Sequence, residues 1–244
     1  MMLYTANQPL LFPHIYMMNR YANVEHYVSM NEAQFTKFGH QSRVELLDKY
    51  GKEVMLIVPL KNRSFKEIRE VEVVDVPKTI KNIANTLQAL YGSREAYKLL
   101  RDSLRSTLDT VLKVYTYNDN TLKLAELNSL LLSWLFQQAG INLWAHDSDI
   151  ILPKRPEDPS EWVAEMGRAI NCTTYIGGKV AQDAYINKKH FDDRGMTFVA
   201  QSYKMKPYKR FKGEESSRAT VSCLDPLFYG GPALLQDLIH VKAY

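Results

Sequence analysis

The chain has 244 residues, of which 45% are hydrophobic and 24% charged, and its formal net charge is +4. This composition excludes fibrous and intrinsically disordered proteins and is typical of a globular fold. The small positive charge permits a polyanionic partner without requiring one. The longest apolar run, LLLSWLF at 130–136, is shorter than the roughly 20 residues that cross a bilayer. The first sixteen residues lack the basic segment of a signal peptide, so we expect a cytoplasmic protein with no membrane span.

The first part of the chain, residues 1–78, is expected to be irregular and rich in β-strands. EHYVSM at 25–30 is typical of a strand, and the β-branched run VMLIVPL at 54–60 predicts a buried strand that Pro59 closes. Alternating charged and apolar residues in IREVEVV at 68–74 predict a half-buried strand.

The second part, residues 79–152, has the 3.6-residue periodicity of helices. Apolar residues at helical spacing predict one helix from Thr79, a second from Ser93 and a third from Thr121 that ends at Gly140. We therefore expect a central helical block.

The third part, residues 153–244, begins with a proline-rich linker. Asp158 is expected to cap a helix that starts at Pro159. A strand at 173–177, a short helix from Lys179 and a strand at 196–203 then predict one βαβ crossover. The three parts together predict an α/β fold of the mixed α+β kind, with a β-rich segment, a helical block and a βαβ unit in that order. We expect one compact enzyme domain spanning residues 1–244.

Cofactor motifs are not recognisable in the sequence. Cys172 and Cys223 belong to no CxxC or Cys/His cluster, so we predict two buried, reduced thiols and no zinc site. His146, Asp147 and Asp149 could ligate a metal, but so short a cluster predicts no metal site. YIGGK at 175–179 is neither GxxxxGK[ST] nor GxGxxG, so no nucleotide cofactor is expected.

The two glycines of this last stretch have two interpretations. Gly177 and Gly178 can form a tight strand-to-helix turn, or they can let backbone N–H groups approach an anionic ligand.

Two further stretches could carry catalytic side chains. His14 lies in NQPLLFPHIY, which two prolines make rigid, and it is either a satisfied buried histidine or an acid/base. Residues 30–43 combine a carboxylate, cations and amides between two predicted strands, and they form either a reaction site or a solvated connection.

The stretch SYKMKPYKRFK at 202–212 alternates cations with aromatic rings. Cations suit phosphates and rings suit bases, although basic loops are commonly only solvated. The predicted nucleic-acid contacts are Tyr203, Lys204, Lys206, Tyr208, Lys209, Arg210 and Lys212.

Five ordered blocks of the chain resemble the WbqC-like family. They are NQPLLFP at 7–13, YVSMNEAQFTK at 27–37 followed by HQSRV, TIKNIANTLQALYGSREAY at 79–97, TTYIGGKVAQDAYINKKHFDDRGMTFVAQSY at 173–203, and VSCLDPLFYGGP at 221–232. Asn7 stands where that family usually has His, Asn31-Glu32 replaces an Asp-Asp pair, and only Arg43 is kept from an Asn-Arg-Asn-Arg run.

The resemblance implies a transferase. Similar proteins are associated with O-antigen polysaccharide biosynthesis and also occur in phage genomes. If this chain is encoded by a phage, it is expected to work in the host cytoplasm. It is expected to join an amino acid or small amine to an activated acceptor, and the slightly favoured acceptor is a pyrophosphate-activated hydroxymethyluracil in phage DNA. The alternatives are a transferase acting on a nucleotide-sugar or glycan and a binding module without chemistry.

The corresponding site hypothesis gives roles to individual residues. Glu32 is the predicted base, with His14 or His40 as the alternative, while Lys37 and Arg43 neutralise a phosphate. The predicted substrate-binding residues are Asn7, Gln8, Asn31, Gln34, Tyr175, Gly177, Gly178, Lys179, Asp183, Tyr185 and Gln201.

Overall fold

The computed structural model describes residues 1–61, 63–210, 215–216 and 220–244. A short 3-10 helix spans Ile68–Glu70. In chain order the remaining elements are β1 (Leu3–Asn7), α1 (Ile15–Ala22), β2 (His26–Ser29), β3 (Arg43–Leu47), β4 (Glu53–Ile57), β5 (Leu60–Lys61), β6 (Glu72–Val73), α2 (Val76–Tyr91), α3 (Glu95–Tyr117), α4 (Leu124–Ala139), β7 (Trp144–Asp147), α5 (Ser148–Ile151), α6 (Pro159–Ala169), β8 (Thr174–Gly177), α7 (Lys179–Ala184), α8 (Lys188–Asp192), β9 (Thr197–Ala200), β10 (Tyr208–Lys209), β11 (Glu215–Ser216) and α9 (Leu224–Ile239).

A five-stranded parallel sheet forms the centre of the protein, in the order β7-β2-β1-β8-β9. The inner strands β2 and β8 are buried along their whole length, as expected when helices cover both faces of a parallel sheet. The predicted α/β class is therefore confirmed. All three predicted sub-parts supply strands to the sheet, and one hydrophobic cluster extends from Tyr4 to Ile239.

The connections place a topological switch point beside β1. The chain passes from β1 to β2 on one side, and much later it adds β8 on the other side. Ligands of open α/β sheets bind outside the carboxyl ends of the strands at such a point. The topology therefore directs attention to the ends of β1 and β8.

Helix α6 packs closely on the first strand. Gly167 faces the ring of Tyr4, and a methyl group at this position would collide with that ring. The Tyr4 hydroxyl donates to the backbone oxygen of Val163 at 2.7 Å. This contact holds α6, and with it Trp162, above the carboxyl end of β1.

The predicted helices are confirmed with shifted starts. They begin at Val76, Glu95 and Leu124, and the third ends at Gly140 with φ +63°. The predicted cap is also confirmed, because the Asp158 carboxylate accepts from the Glu161 backbone N–H at 2.8 Å.

The N-terminal part differs from the prediction in two ways. It contains the central strand β1 and helix α1, neither of which the sequence patterns indicated. The run at 54–60 forms β4, which pairs with β3 in a hairpin; Leu56 and Val58 are buried but Met55 and Ile57 are exposed, so the strand is half-buried and not fully buried as expected. The run at 68–74 begins with the 3-10 helix Ile68–Glu70 and continues into the two-residue β6, so the predicted strand is present only at its end.

The two cysteines are free and buried, as predicted. Among the described residues, no helix is long and apolar enough to cross a membrane.

Candidate functional site

Two adjoining cavities lie outside the carboxyl ends of β1, β2, β8 and β9. We call the first, of about 510 Å³, the Arg20 chamber, and the second, of about 520 Å³, the Trp162 chamber. The Arg20 chamber is lined by Asn7, Tyr16, Met17, Arg20, Tyr175, Gly178, Lys179, Val180, Ala181, Ala184, Tyr185, Gln201 and Tyr203. The Trp162 chamber is lined by Ala6, Asn7, Gln8, Leu10, Tyr16, Met17, Met30, Ala33, Gln34, Thr36, His40, Arg155, Pro159, Trp162, Val163 and Tyr185.

The chambers share part of their walls. Asn7, Tyr16, Met17 and Tyr185 border both, so the two cavities meet above the end of β1. Asn7 is the last residue of β1, and Tyr16 and Met17 lie in the first turn of α1. Two small molecules could therefore lie side by side within one cleft.

Arg20 is the charged centre of its chamber. It is 5% exposed, and its Nε and Nη2 donate to Gln201 Oε1 at 3.2 and 3.0 Å. Its Nη1 donates to Asn7 Oδ1 at 3.2 Å. Both partners are neutral amides, and no carboxylate in the described part of the chain pairs with this guanidinium.

The Gln201 amide has a fixed orientation. Its Nε2 donates to the backbone oxygen of Tyr16 at 2.8 Å and to Asn19 Oδ1 at 2.7 Å. Since these acceptors require the amide nitrogen, the oxygen of Gln201 must face Arg20. Gln201 follows β9 directly, so the sheet edge and α1 together hold the guanidinium in place.

The two consecutive glycines have different neighbours. A Cβ on Gly177 would lie 2.6 Å from Phe198 Cε2, so this glycine allows β8 and β9 to pack. A Cβ on Gly178 would lie 3.0 Å from Arg20 Nη2, and Gly178 lines the Arg20 chamber. Gly177 and Gly178 thus end β8 and precede α7, and the approach of an anion to their backbone N–H groups stays a prediction.

The remaining predicted residues of the fourth block are divided between the chamber and the surface. Tyr175, Lys179 and Tyr185 line the Arg20 chamber. Asp183 is exposed on α7 and borders neither chamber. Burial raises the pKa of Tyr175 and of Tyr185, so both phenols are protonated at neutral pH.

The Trp162 chamber combines an aromatic wall with polar groups. Arg155 Cζ lies 4.1 Å from the centre of the Trp162 ring, and Arg155 Nη1 donates to the backbone oxygen of Glu32 at 3.0 Å. Gln8 accepts a hydrogen bond from Gln41, and Gln34 lies at the rim. This chamber therefore offers amides and a stacked cation–aromatic pair.

The two predicted alternative bases are neighbours. The ring centres of His14 and His40 are 4.3 Å apart, but only His40 lines the chamber. Burial, with a smaller contribution from His40, lowers the pKa of His14 to about 4. Burial also lowers the pKa of His40, with Arg43 lowering it further and Glu45 opposing. Both imidazoles are consequently neutral at pH 7.

Glu32, the first predicted base, points away from the cleft. It is 5% exposed, its Oε2 accepts from Ser148 Oγ at 2.9 Å, and it lines neither chamber. Asn31 is likewise structural, because it accepts from Ser29 Oγ and donates to Asp147 Oδ1, each at 2.8 Å. These contacts join the ends of β2 and β7 rather than presenting groups to a substrate.

Lys37 is exposed and Arg43 is half-buried, and neither lines the Trp162 chamber. They flank the exposed ring of Phe38, with Lys37 Nζ 5.5 Å and Arg43 Cζ 5.2 Å from its centre. Lys37 also lines a shallow cavity of about 320 Å³ with Arg63 and the exposed Phe65, and Gln34 borders both this cavity and the chamber. Neither cation enters the chambers.

The predicted nucleic-acid stretch is divided by burial. Lys204, Lys206 and Lys209 are exposed. Tyr208 and Arg210 instead bind the buried carboxylate of Asp225, so their polar groups are not offered to a polymer.

The other two positions of this stretch differ again. Tyr203 lines the Arg20 chamber, its hydroxyl donates to the backbone oxygen of Leu238 at 3.0 Å, and burial raises its pKa to about 12. Lys212 lies outside the described residues.

The candidate metal cluster does not assemble. His26 Nδ1 and His146 Nε2 are 2.9 Å apart, which one shared proton explains. Within the described ranges, no three His, Cys, Asp or Glu side chains are placed to hold a metal ion.

Sequence reasoning missed three site residues, Arg20, Arg155 and Trp162. Arg20 had a detectable signal, because it lies in an eight-residue helix, IYMMNRYA, that is otherwise almost entirely apolar. A lone arginine on such a helix must be buried beside polar partners. Arg155 and Trp162 gave no such signal, since one lies in the linker and the other in an amphipathic helix.

A model of the WbqC-like protein family matches residues 8–237. No curated protein and no solved structure matches the chain.

Proposed function

Because the chain belongs to the WbqC-like family and its strand ends carry two joined chambers, we propose that it is a group-transfer enzyme joining an amino acid or small amine to an activated acceptor. The observation that carries this proposal is the shared wall formed by Asn7, Tyr16, Met17 and Tyr185. A transfer reaction needs two substrates held in contact, and proximity of this kind supplies a large part of catalysis.

The proposed step is a substitution at carbon. The amine nitrogen attacks the methylene carbon of an activated 5-hydroxymethyluracil, and a C–N bond forms while the C–O bond to pyrophosphate breaks. The electron pair of the broken bond leaves with pyrophosphate. The surplus proton on nitrogen passes to a base.

We propose His40 as that base. It lines the Trp162 chamber, and burial lowers its pKa, so at neutral pH it has a free lone pair. His14 packs against it and lines neither chamber. Glu32, in contrast, would have to leave its hydrogen bond with Ser148 to reach the substrate.

Two surfaces support a nucleic acid as the acceptor. Lys204, Lys206 and Lys209 are exposed next to Tyr203, which lines the Arg20 chamber. Beyond the other chamber, the rings of Phe38 and Phe65 are 73% and 92% exposed and stand among Lys37, Arg43 and Arg63. Exposed rings with interleaved cations suit the bases and phosphates of a strand.

The test uses purified protein and a DNA oligonucleotide carrying 5-(pyrophosphoryloxymethyl)uracil. Each amino acid is supplied in turn, and the digested nucleosides are examined by mass spectrometry. We expect one new aminomethyl-linked nucleoside and release of one pyrophosphate per product. Product from a nucleotide-sugar instead would support the polysaccharide alternative, and failure with every amine would favour the binding module.

A further inference from the structure

The structure assigns a phosphate-anion site to the Arg20 chamber, in which the Arg20 guanidinium binds the pyrophosphoryl group of the acceptor. The acceptor's identity rests on the proposed function. Binding of a phosphate anion can be measured without any turnover.

The first argument is the uncompensated charge. Arg20 is 5% exposed, and its hydrogen-bond partners are the neutral oxygens of Asn7 and Gln201. Burying an arginine without a counter-charge is unfavourable, and proteins normally pair such groups. Among the described residues nothing supplies that charge, so an anion entering the chamber would complete the site.

The second argument is the number of unused donors. A guanidinium has five N–H groups, and Arg20 uses one on Nε, one on Nη1 and one on Nη2, which leaves two. Each terminal nitrogen keeps one free N–H. Parallel donation from two terminal nitrogens is the geometry with which arginine binds phosphate and carboxylate.

The third argument distinguishes a phosphate from a carboxylate. Lys179 also lines the chamber, so two cations border it, and among the described residues that line it none is acidic. A site with two positive charges and a volume of about 510 Å³ matches a multiply charged pyrophosphate better than a singly charged amino-acid carboxylate. The amine donor is thereby left to the Trp162 chamber.

The glycine before α7 makes the site accessible. A Cβ on Gly178 would lie 3.0 Å from Arg20 Nη2, so a side chain there would cover the terminal nitrogen. The backbone at Gly178 has φ −79°, which alanine also adopts, so Gly178→Ala tests this contact without straining the chain.

The experiment is calorimetric titration of the protein with inorganic pyrophosphate, inorganic phosphate and glycine. We expect pyrophosphate to bind more tightly than phosphate, and glycine not to bind at this chamber. Arg20→Gln should weaken pyrophosphate binding by about tenfold to a hundredfold, because a charge-assisted pair is lost. Arg20→Lys should lie between, since it keeps the charge but not the paired donors.

Matched variants separate the site from folding and from bulk charge. Arg105→Gln removes one positive charge from the exposed face of α3 and should leave binding unchanged. Gly178→Ala keeps Arg20 and should weaken binding several-fold, so it provides an answer even where Arg20→Gln does not fold.

The site would be overturned by equal pyrophosphate affinity in wild type, Gly178→Ala and Arg20→Lys, or by glycine binding that depends on Arg20. Arg20-dependent pyrophosphate binding without any transfer product would retain the anion site and reject the proposed reaction. Transfer product formed by Arg20→Lys with an unchanged acceptor KM would retain the proposed reaction and reject the anion site.

Discussion

Arg210 and Asp225 form a buried, two-point ion pair, with Nε 2.8 Å from Oδ2 and Nη2 2.9 Å from Oδ1. Their side chains are 5% and 0% exposed. Tyr208 also donates to this carboxylate, and Tyr91 donates to it at 3.3 Å. The pair joins the start of α9 to the basic stretch that the sequence predicted to contact nucleic acid.

Asp225→Asn should therefore destabilise the fold strongly. It leaves the Arg210 guanidinium buried without its counter-charge, which costs about 3–5 kcal/mol. Urea unfolding measures the change. Asp237→Asn is the matched control, because its pair with Lys206 is long and exposed and should be worth less than about 1 kcal/mol. Equal midpoints for the two variants would contradict a structural role for the buried pair.

The adjacent glycines should respond differently to alanine. Gly177→Ala places a methyl group 2.6 Å from Phe198 Cε2 and 2.9 Å from Tyr175 Cε1, and overpacking of this kind costs about 1–3 kcal/mol. Gly178→Ala meets only the flexible end of Arg20 and should leave the free energy of unfolding nearly unchanged. Thermal unfolding of both variants tests the distinction, and the reverse order of stabilities would refute it.

The free energy of unfolding should decrease as the pH is lowered, because His14 is buried in its neutral form. Its pKa is about 4 in the folded protein against 6.5 as the reference, mainly because burial disfavours the charged form. The unfolded chain thus binds the proton first, so this contribution is complete above pH 6.5 and is lost as the pH falls towards about 4. The full loss is about 3 kcal/mol.

His14→Phe should remove this part of the pH dependence. Unfolding free energies at pH 7, 5.5 and 4.5 would then decline less in the variant than in wild type. Parallel curves for His14→Phe and wild type would show that His14 is not the group responsible.

The position of the proposed base predicts a contrast between His40 and Glu32. His40→Gln should lower kcat of the transfer about 100-fold or more, because it removes a general base at the chamber wall. Glu32→Gln should chiefly lower stability, since that carboxylate binds Ser148 Oγ inside the protein. The acid limb of the kcat profile should lie below pH 6.5, because burial lowers the pKa of His40. Full turnover in His40→Gln would eliminate this base.

DNA affinity should depend on three exposed lysines. Replacing Lys204, Lys206 and Lys209 by Gln removes up to three phosphate contacts and should flatten the plot of log K against log salt by about 0.7 per contact for a single strand. Replacing Arg101, Arg105 and Lys113 on the exposed face of α3 removes the same charge and should not alter the slope. Fluorescence anisotropy with a labelled oligonucleotide gives both slopes.

The sequence predicted the elements whose cause is local. Apolar spacing in α2, α3 and α4, the Asp158 cap, and the crossover from β8 to β9 are each produced by residues close together in the chain, and all are present. Strand β1 was not predicted because a buried parallel strand of five residues shows no alternation of polar and apolar residues. Helix α1 was not predicted because it spans only eight residues.

The chemistry of the cleft depended on the tertiary structure. The sequence by itself predicted the family blocks and the helical periodicity, and it named Asn7, Gly178 and Gln201 as candidate site residues. It could not place Arg20 between Asn7 and Gln201, because the end of β1, helix α1 and the residue after β9, which is 181 positions from Arg20, meet only in the folded chain. Burial also decides which of the predicted ionisable side chains can reach a substrate. Glu32 and Arg210 are buried, whereas His40 lines the Trp162 chamber. Residue type sets which chemistry is available, but burial and neighbouring charge decide which groups can meet a substrate, and only the packed sheet fixes both.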